Sequence, residues 1–165
     1  MEKITQHPEE PVVALLRRHG LTIATAESCT GGLVAAALIN VSGVSEVLKE
    51  SYITYSDETK EKILHVSKAT LDAYTAVSEQ TAREMVQGVT QIAGCDVGIS
   101  VTGIAGPEGG SEDCPVGLVY IGLKVSDAVR ILRFQFSGNR MAVRTQAVTK
   151  ALEELLALLR EEGYQ

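Results

Sequence analysis

Apolar residues recur along much of the chain at the spacing of helices that bury one face. The first such segment, 11–19, starts with a proline and is followed by Gly20, a combination typical of helix boundaries. The same pattern predicts further helices at 31–40, 57–66, 79–93 and 137–163. The segment 31–40 is apolar nearly all round and is expected to be buried, whereas the connection after it, 41–51, is expected to contain one short helical turn.

Other apolar runs have the composition and length of β-strands. They lie at 21–28, 51–56, 96–103, 117–125 and 129–136, and the last two are predicted to form a hairpin. Strands that alternate with helices favour an α/β fold. We expect a single domain at 11–165 with three layers, α/β/α, around a central mixed β-sheet, preceded by an N-terminal tail at 1–10.

Composition narrows the classes of partner. The 165-residue chain is 45% hydrophobic, carries a net charge of −6 and has no basic run longer than Arg17-Arg18, which argues against nucleic acid binding. No apolar run reaches membrane-spanning length, and the polar N-terminus does not resemble a signal peptide. Three cysteines without CxxC spacing favour a reducing, cytoplasmic location and no metal or other cofactor. A small-molecule ligand is therefore expected.

Three polar clusters fall at the predicted ends of strands, where α/β sheets bind their ligands. They are AESCTGG (26–32), TYSDETK (54–60) and VTGIAGPEGGS (101–111), and a fourth, SGNRMAVR (137–144), follows the last strand. In AESCTGG, Ser28 or Thr30 could cap the next helix, with Gly31 and Gly32 allowing close packing. Alternatively, Ser28 or Cys29 is a nucleophile beside backbone amides that stabilise an oxyanion.

A serine nucleophile needs a base, and none of the three histidines is well placed to supply it. Lys60, one turn into the predicted helix 57–66, and Tyr55 could project toward the same crevice. Burial and the helix N-terminus would lower the pKa of Lys60, as a base requires, whereas Asp57 and Glu58 would raise it. The alternative is that Lys60 is an ordinary surface lysine.

The segment 101–117 holds five glycines and two prolines and predicts an irregular functional loop. Gly103 and Gly106 could let backbone amides approach a ligand. Arg140 and Arg144, four residues apart on one helix face, could bind an anion, or could be an exposed arginine pair.

Taken together and in this order, these clusters resemble the CinA C-terminal domain family, whose members are nicotinamide-nucleotide amidases. The resemblance covers about residues 10–160 and rests on seven motifs. These are TAESCTGG (25–32), VSG (41–43), ITYSDETK (53–60), AVSE (76–79), VTGIAGPEGGS (101–111), PVG (115–117) and FSGNR with VR (136–144). It implies helices around a mixed sheet, a homodimer, and a stand-alone form without the amino-terminal molybdopterin-binding-like domain of longer members.

The resemblance also implies an activity, the hydrolysis of nicotinamide mononucleotide to nicotinate mononucleotide and ammonia in the pyridine nucleotide cycle of NAD metabolism. It assigns Ser28 as nucleophile and Tyr55 and Lys60 as its partners in proton transfer. Backbone around the helix start and the glycine-rich loop would form the oxyanion and substrate site. Those residues are Thr30, Gly31, Gly32, Thr102, Gly103, Ile104, Ala105 and Gly106.

Phosphate binding by Arg140 and Arg144 is an electrostatic inference added to the resemblance. Asp57 replaces the family's usual asparagine, and its negative charge should keep the pKa of Lys60 higher than an asparagine would. The alternative function is a non-catalytic nucleotide-sensing or protein-interaction module that keeps the pocket without turnover.

Overall fold

The structure is a computed structural model that describes residues 7–165. Residues 1–6 of the predicted tail lie outside the described residues. The described range contains six α-helices and five β-strands. In chain order they are α1 (Glu9–His19), β1 (Ile23–Glu27), α2 (Leu33–Ile39), β2 (Leu48–Ile53), α3 (Asp57–Leu64), α4 (Lys68–Tyr74), α5 (Glu79–Ala93), β3 (Val97–Gly103), β4 (Leu118–Val125), β5 (Ala128–Gln135) and α6 (Arg140–Glu161).

Helix boundaries follow local capping chemistry. Helix α1 begins at Glu9, two residues before the predicted start, and ends at Gly20, whose left-handed backbone has a φ of 64°. Ser78 caps α5 by accepting a hydrogen bond from the Thr81 amide, as its position before the apolar helix predicted. The predicted short turn between α2 and β2 is a 3₁₀ helix, Val44–Glu46.

Two predicted boundaries differ from the structure. Strand β2 covers Leu48–Ile53 rather than 51–56, so Tyr55 lies in the turn after the strand. The turn belongs to helix α3, because the Ser56 hydroxyl accepts from the Thr59 amide and the Thr59 hydroxyl in turn accepts from the Ser56 amide. Helix α4 was not predicted, since it is only seven residues long and buries a single side chain, Leu71.

The five strands form one mixed sheet in the order β2-β1-β3-β4-β5. Strand β1 pairs in parallel with β2 and β3, whereas β4 pairs antiparallel with both β3 and β5. The carboxyl ends of β1, β2, β3 and β5 therefore lie at one edge of the sheet. This arrangement brings together the four polar clusters that the sequence placed at strand ends, 26–32, 54–60, 101–111 and 137–144. The region between these four segments is called the crevice below.

Helices cover both faces of the sheet, which confirms the predicted three-layer α/β/α fold. Apolar residues of α1, α2 and α6 pack with the sheet in one buried cluster. Apolar residues of α3, α4 and α5 pack on the opposite face in a second cluster. Strand β1 contributes Ile23 to the first cluster and Ala24 and Ala26 to the second, as the alternation of side chains along a strand requires.

Candidate active site

Ser28 directly follows β1 and lies within hydrogen-bonding distance of a buried lysine. The Nζ atom of Lys60 is 3.2 Å from the Ser28 Oγ and donates a second bond of 2.8 Å to the carbonyl oxygen of Thr54. Lys60 is only 1% exposed and Ser28 is 9% exposed. The predicted contact between these two side chains is therefore present, and Lys60 is not a surface lysine.

The surroundings of Lys60 favour its neutral form. Burial lowers its pKa below the ordinary value of 10.5, and it does so against Asp57 and Cys29, which both act to raise it. Desolvation disfavours an ammonium ion that lacks a carboxylate partner. A neutral amine donates to the Thr54 carbonyl and keeps a lone pair that can accept the proton of the Ser28 hydroxyl. This is the arrangement that a serine–lysine pair needs for nucleophilic chemistry.

The turn after Ser28 presents free backbone amides. Gly31 and Gly32 adopt left-handed conformations, with φ of 56° and 99°, and turn the chain from β1 into α2. The Gly31 amide donates to the Ser28 carbonyl, and the Ser28 amide donates to the carbonyl of Val101. Within residues 7–165, no protein acceptor pairs with the amides of Thr30 and Gly32. Of the three predicted oxyanion donors, Thr30 and Gly32 therefore remain available.

Two charged side chains hold this turn from the two sides of the backbone. Arg144 of α6 donates from Nε to the Cys29 carbonyl, at 2.9 Å, and from Nη2 to the Thr30 carbonyl, at 3.2 Å. Glu27 accepts from the amides of Val34 and Ala35 at the start of α2. The carbonyls of the turn and the first amides of the helix are thus both satisfied by side chains.

Cys29 lies in the wrong environment for a nucleophile. Its side chain is buried among the apolar residues that α1, α2 and α6 pack against the sheet. Burial raises the pKa of its thiol to about 11, and the neighbouring Glu27 acts in the same direction. Because the thiolate is the reactive form of cysteine, this shift disfavours Cys29 as a nucleophile at neutral pH. The choice that the sequence left open between the two side chains favours Ser28.

Tyr55 stands at the rim of the crevice, not between the serine and the lysine. Its side chain is 62% exposed, and its hydroxyl accepts a bond of 3.2 Å from Nη2 of Arg140. In the described part of the chain, the Tyr55 hydroxyl has no hydrogen bond to Ser28 or Lys60. The role in proton transfer that the resemblance implied for Tyr55 therefore stays a prediction.

The glycine-rich segment begins at the end of β3, and its first residues form hydrogen bonds with neighbouring parts of the protein. The predicted binding residues here are Thr102, Gly103, Ile104, Ala105 and Gly106. The Thr102 hydroxyl donates to the carbonyl of Ala76, and the amide of Ile104 donates to the carbonyl of Leu118. A Cβ at Gly103 would lie 2.7 Å from the same Leu118 oxygen. Close packing against β4 therefore requires a glycine at this position, and the predicted approach of its backbone to a ligand stays a prediction.

Gly106 connects the glycine-rich segment to the crevice. Its φ is 80°, and a Cβ there would lie 2.4 Å from a methyl group of Val116, so the position requires glycine. Its carbonyl accepts a bond of 2.8 Å from Nη1 of Arg140, the residue that also binds Tyr55. Arg140 thus ties the segment to the turn that precedes α3.

The two predicted anion-binding arginines both reach the crevice. Arg140 and Arg144 lie one turn apart on α6 and donate to backbone carbonyls or a hydroxyl. Neither guanidinium forms an ion pair with a carboxylate anywhere in residues 7–165. Their charges are uncompensated, so an anionic group that entered the crevice would meet two cations.

Comparison with known proteins gives the family. The sequence profile of the CinA C-terminal domain matches residues 5–159. The chain belongs to the CinA C-terminal domain family. It is 54% identical over 145 residues to a CinA-like protein of Kosmotoga olearia, a match that covers 88% of this chain and 35% of that protein. The chain spans about a third of the length of the curated relatives it matches.

Solved structures of CinA superfamily proteins have the same fold. A protein from Escherichia coli superposes with a TM-score of 0.91 at 36% identity, over 96% of this chain and 93% of that one. The competence/damage inducible protein CihA from Agrobacterium tumefaciens superposes with a TM-score of 0.89 at 37% identity, over 96% and 99%. These names specify a family and a biological context but no reaction.

Two absences concern only the part of this CinA-family chain that the structure describes. That part contains no group of three or more His, Cys, Asp or Glu side chains placed to hold a metal ion. None of its helices is both long and apolar enough to cross a membrane.

Sequence reasoning missed three contacts of the site: the Thr54 carbonyl on Lys60, Glu27 on the helix amides, and Arg144 on the turn. A signal existed for Glu27, because a charged residue at the end of a strand that is expected to be buried has to find a buried partner. No such signal existed for Arg144, which lies 115 residues from Cys29.

Proposed function

We propose that this chain is an amidohydrolase that uses Ser28 to convert nicotinamide mononucleotide to nicotinate mononucleotide and ammonia. The observation that carries the proposal is the 3.2 Å contact between Lys60 Nζ and Ser28 Oγ, together with the burial that lowers the pKa of Lys60. The resemblance to nicotinamide-nucleotide amidases supplies the substrate.

The reaction proceeds by acyl transfer in two halves. Neutral Lys60 takes the proton from the Ser28 hydroxyl as its oxygen attacks the carboxamide carbon. The resulting lysine ammonium then gives that proton to the departing nitrogen, and ammonia leaves an ester on Ser28. Lys60 next takes a proton from water, whose oxygen attacks the ester and releases the nicotinate acid. Returning the proton to Ser28 restores the starting state.

The negative charge of each tetrahedral intermediate needs donors fixed in advance. The unpaired amides of Thr30 and Gly32, one and three residues beyond Cys29, are the candidates. They lie at the start of α2, where unpaired amides attract negative charge. In this mechanism Tyr55 contributes to the rim and takes no part in proton transfer.

The two unpaired arginines suit the phosphate of a mononucleotide. Each guanidinium uses two of its five N–H groups on the protein in the contacts described above, which leaves donors for an anion. This assignment predicts that nicotinamide and nicotinamide riboside, which lack a phosphate, are much poorer substrates than the mononucleotide.

The direct test is ammonia release from nicotinamide mononucleotide by the purified protein. Ser28→Ala should abolish release while leaving the fold intact, and Cys29→Ala, the adjacent control, should retain it. Full activity of the Ser28→Ala variant would refute the serine mechanism. Thermal stabilisation by the mononucleotide without any ammonia release would instead support a non-catalytic nucleotide-sensing module. Equal rates with nicotinamide would contradict the role given to the arginines.

A further inference from the structure

Glu27 is a buried acidic residue that the proposed reaction does not use. It is 1% exposed, and it precedes the nucleophile in the chain. Within residues 7–165, it forms no ion pair with a lysine, arginine or histidine. Burying a carboxyl group without a cation is costly, so a protein that keeps one gains something specific from it.

Two of the three hydrogen bonds that the Glu27 carboxyl group accepts come from amides at the start of α2. Oε1 accepts from the amide of Val34 at 2.9 Å, and Oε2 accepts from the amide of Ala35 at 3.0 Å and from the hydroxyl of Thr25 at 3.4 Å. The residue in the N-cap position, Gly32, has no side chain that could cap the helix. A glutamate from the neighbouring strand therefore does the work of the missing cap.

This bridge fixes the geometry of the turn that carries the nucleophile. The turn leaves β1 at Glu27 and enters α2 at Leu33. The start of α2 is tied back to β1 because the Glu27 side chain accepts from the amides of Val34 and Ala35. Because Gly31 and Gly32 give the backbone of this turn unusual freedom, the turn depends on side chains for its shape. With the Val34 and Ala35 amides occupied, the Thr30 and Gly32 amides are among those that keep no protein acceptor within residues 7–165.

We infer that Glu27 is a positioning residue that holds the helix start so that the free amides of Thr30 and Gly32 face an oxyanion formed at Ser28. The inference rests on the proposed role of Ser28 as nucleophile, but not on the identity of the substrate. Displacement of a group by about 1 Å in an active site can cost on the order of 100-fold in rate. Loss of one oxyanion donor costs about 100- to 1,000-fold in kcat.

The test measures how fast a fluorophosphonate probe labels Ser28, because phosphonylation of a serine needs the nucleophile and the oxyanion donors but no nucleotide. Glu27→Gln keeps the shape but turns one acceptor into a donor that opposes an amide N–H. We expect labelling to slow by about 10-fold in Glu27→Gln and about 100-fold in Glu27→Ala. Glu27→Asp, which keeps the carboxylate, should lie between the wild-type protein and Glu27→Ala.

A matched control separates positioning from general stability. Glu84 also binds the start of a helix from a distance, since it accepts from the amide of Ser67, the N-cap residue of α4, at 3.0 Å. Glu84→Gln should lower the melting temperature yet leave the labelling rate unchanged. In Glu27→Gln, kcat for ammonia release should fall with KM within about threefold, and the pH midpoint set by Lys60 should stay in place.

An unchanged labelling rate in folded Glu27→Gln would overturn the inference. So would failure of the glutamine and aspartate variants to fold, because Glu27 would then serve stability. A wild-type protein that the probe does not label would refute the oxyanion site itself. If the probe labels Ser28 but nicotinamide mononucleotide releases no ammonia, the proposed substrate is wrong, and the labelling comparison still decides the role of Glu27.

Discussion

Replacement of Lys60 by methionine should remove activity. It should also change how the free energy of unfolding depends on pH, because the variant lacks the proton that Lys60 binds. Methionine matches the length of the buried lysine side chain but carries no ionisable group. In the folded protein, burial lowers the pKa of Lys60 below its ordinary value of 10.5. The unfolded chain has no such burial, so its lysine keeps the ordinary value.

The size and sign of the effect follow from proton linkage. At a pH between the two pKa values, the unfolded state binds one proton more than the folded state. The free energy of unfolding of the wild-type protein therefore rises with pH, by up to about 1.4 kcal/mol per pH unit. Below the folded pKa the cost of burying the charge is constant and at its largest. Lys60→Met lacks this cost, so its stability relative to the wild type is greatest at low pH and declines as pH approaches 10.5.

One further term does not depend on pH. Methionine cannot donate to the carbonyl of Thr54, which Lys60 binds at 2.8 Å, and an unsatisfied buried acceptor costs about 1–3 kcal/mol. This cost lowers the free energy of unfolding of Lys60→Met relative to wild type by the same amount at every pH. It does not change how that difference varies with pH. The slope, rather than the absolute stability, is therefore the informative quantity.

The measurement is urea unfolding of both proteins at several pH values from 7 to 10.5. The exposed Lys62, on the same helix, supplies the control, because Lys62→Met should show no such pH-dependent difference. A difference between Lys60→Met and wild type that stays constant across this range would refute a lowered pKa. Ammonia release should fall by about 10⁴-fold in Lys60→Met, as expected for loss of a catalytic base.

Three other variants test the remaining assignments. Cys29→Ala should keep activity within about twofold. Wild-type Cys29 should resist alkylation at pH 8, since burial raises its pKa to about 11. Mass spectrometry after iodoacetamide treatment measures the extent of alkylation. Asp57→Asn should lower the pKa of Lys60 and move the acidic limb of the pH–rate profile to lower pH, whereas Glu58→Gln should not; a move to higher pH would contradict the electrostatics. Tyr55→Phe should lose less than about tenfold in kcat, and a loss as large as that of Lys60→Met would restore the phenol to the proton path.

Local chemistry explains which parts of the fold were predictable. Gly20 and Gly94 end helices in left-handed conformations, and Ser78 begins one, so their positions could be inferred from neighbouring residues alone. Strand β2 was misplaced because it lies at the edge of the sheet, where only alternate residues are partly buried and the apolar signal is weak. Its true register depends on pairing with β1, which a single segment cannot reveal.

In the site as well, features set by neighbouring residues could be predicted, whereas features set by tertiary contacts could not. Ser28 and Lys60 could be proposed together because each lies just after a strand, and parallel strands bring their carboxyl ends to one edge. The role of Tyr55 could not be inferred, since its position depends on where β2 ends and on a contact with Arg140, 85 residues away. Arg140 and Arg144 could be proposed as an anion-binding pair from their spacing on one helix, but their contacts with backbone carbonyls need the full tertiary structure.

The proposal of Ser28 rather than Cys29 as nucleophile rests on the two faces of the sheet. Consecutive residues at the end of β1 point to opposite faces, so Ser28 meets Lys60 of α3 while Cys29 enters the core formed with α1, α2 and α6. On the face that Ser28 shares, burial lowers the pKa of Lys60, which is the direction that its proposed role as a base requires. On the other face, burial makes a thiol less reactive, and Glu27 finds backbone amides instead of a cation. One short segment can therefore carry several reactive groups, because the sheet gives each of them a different environment.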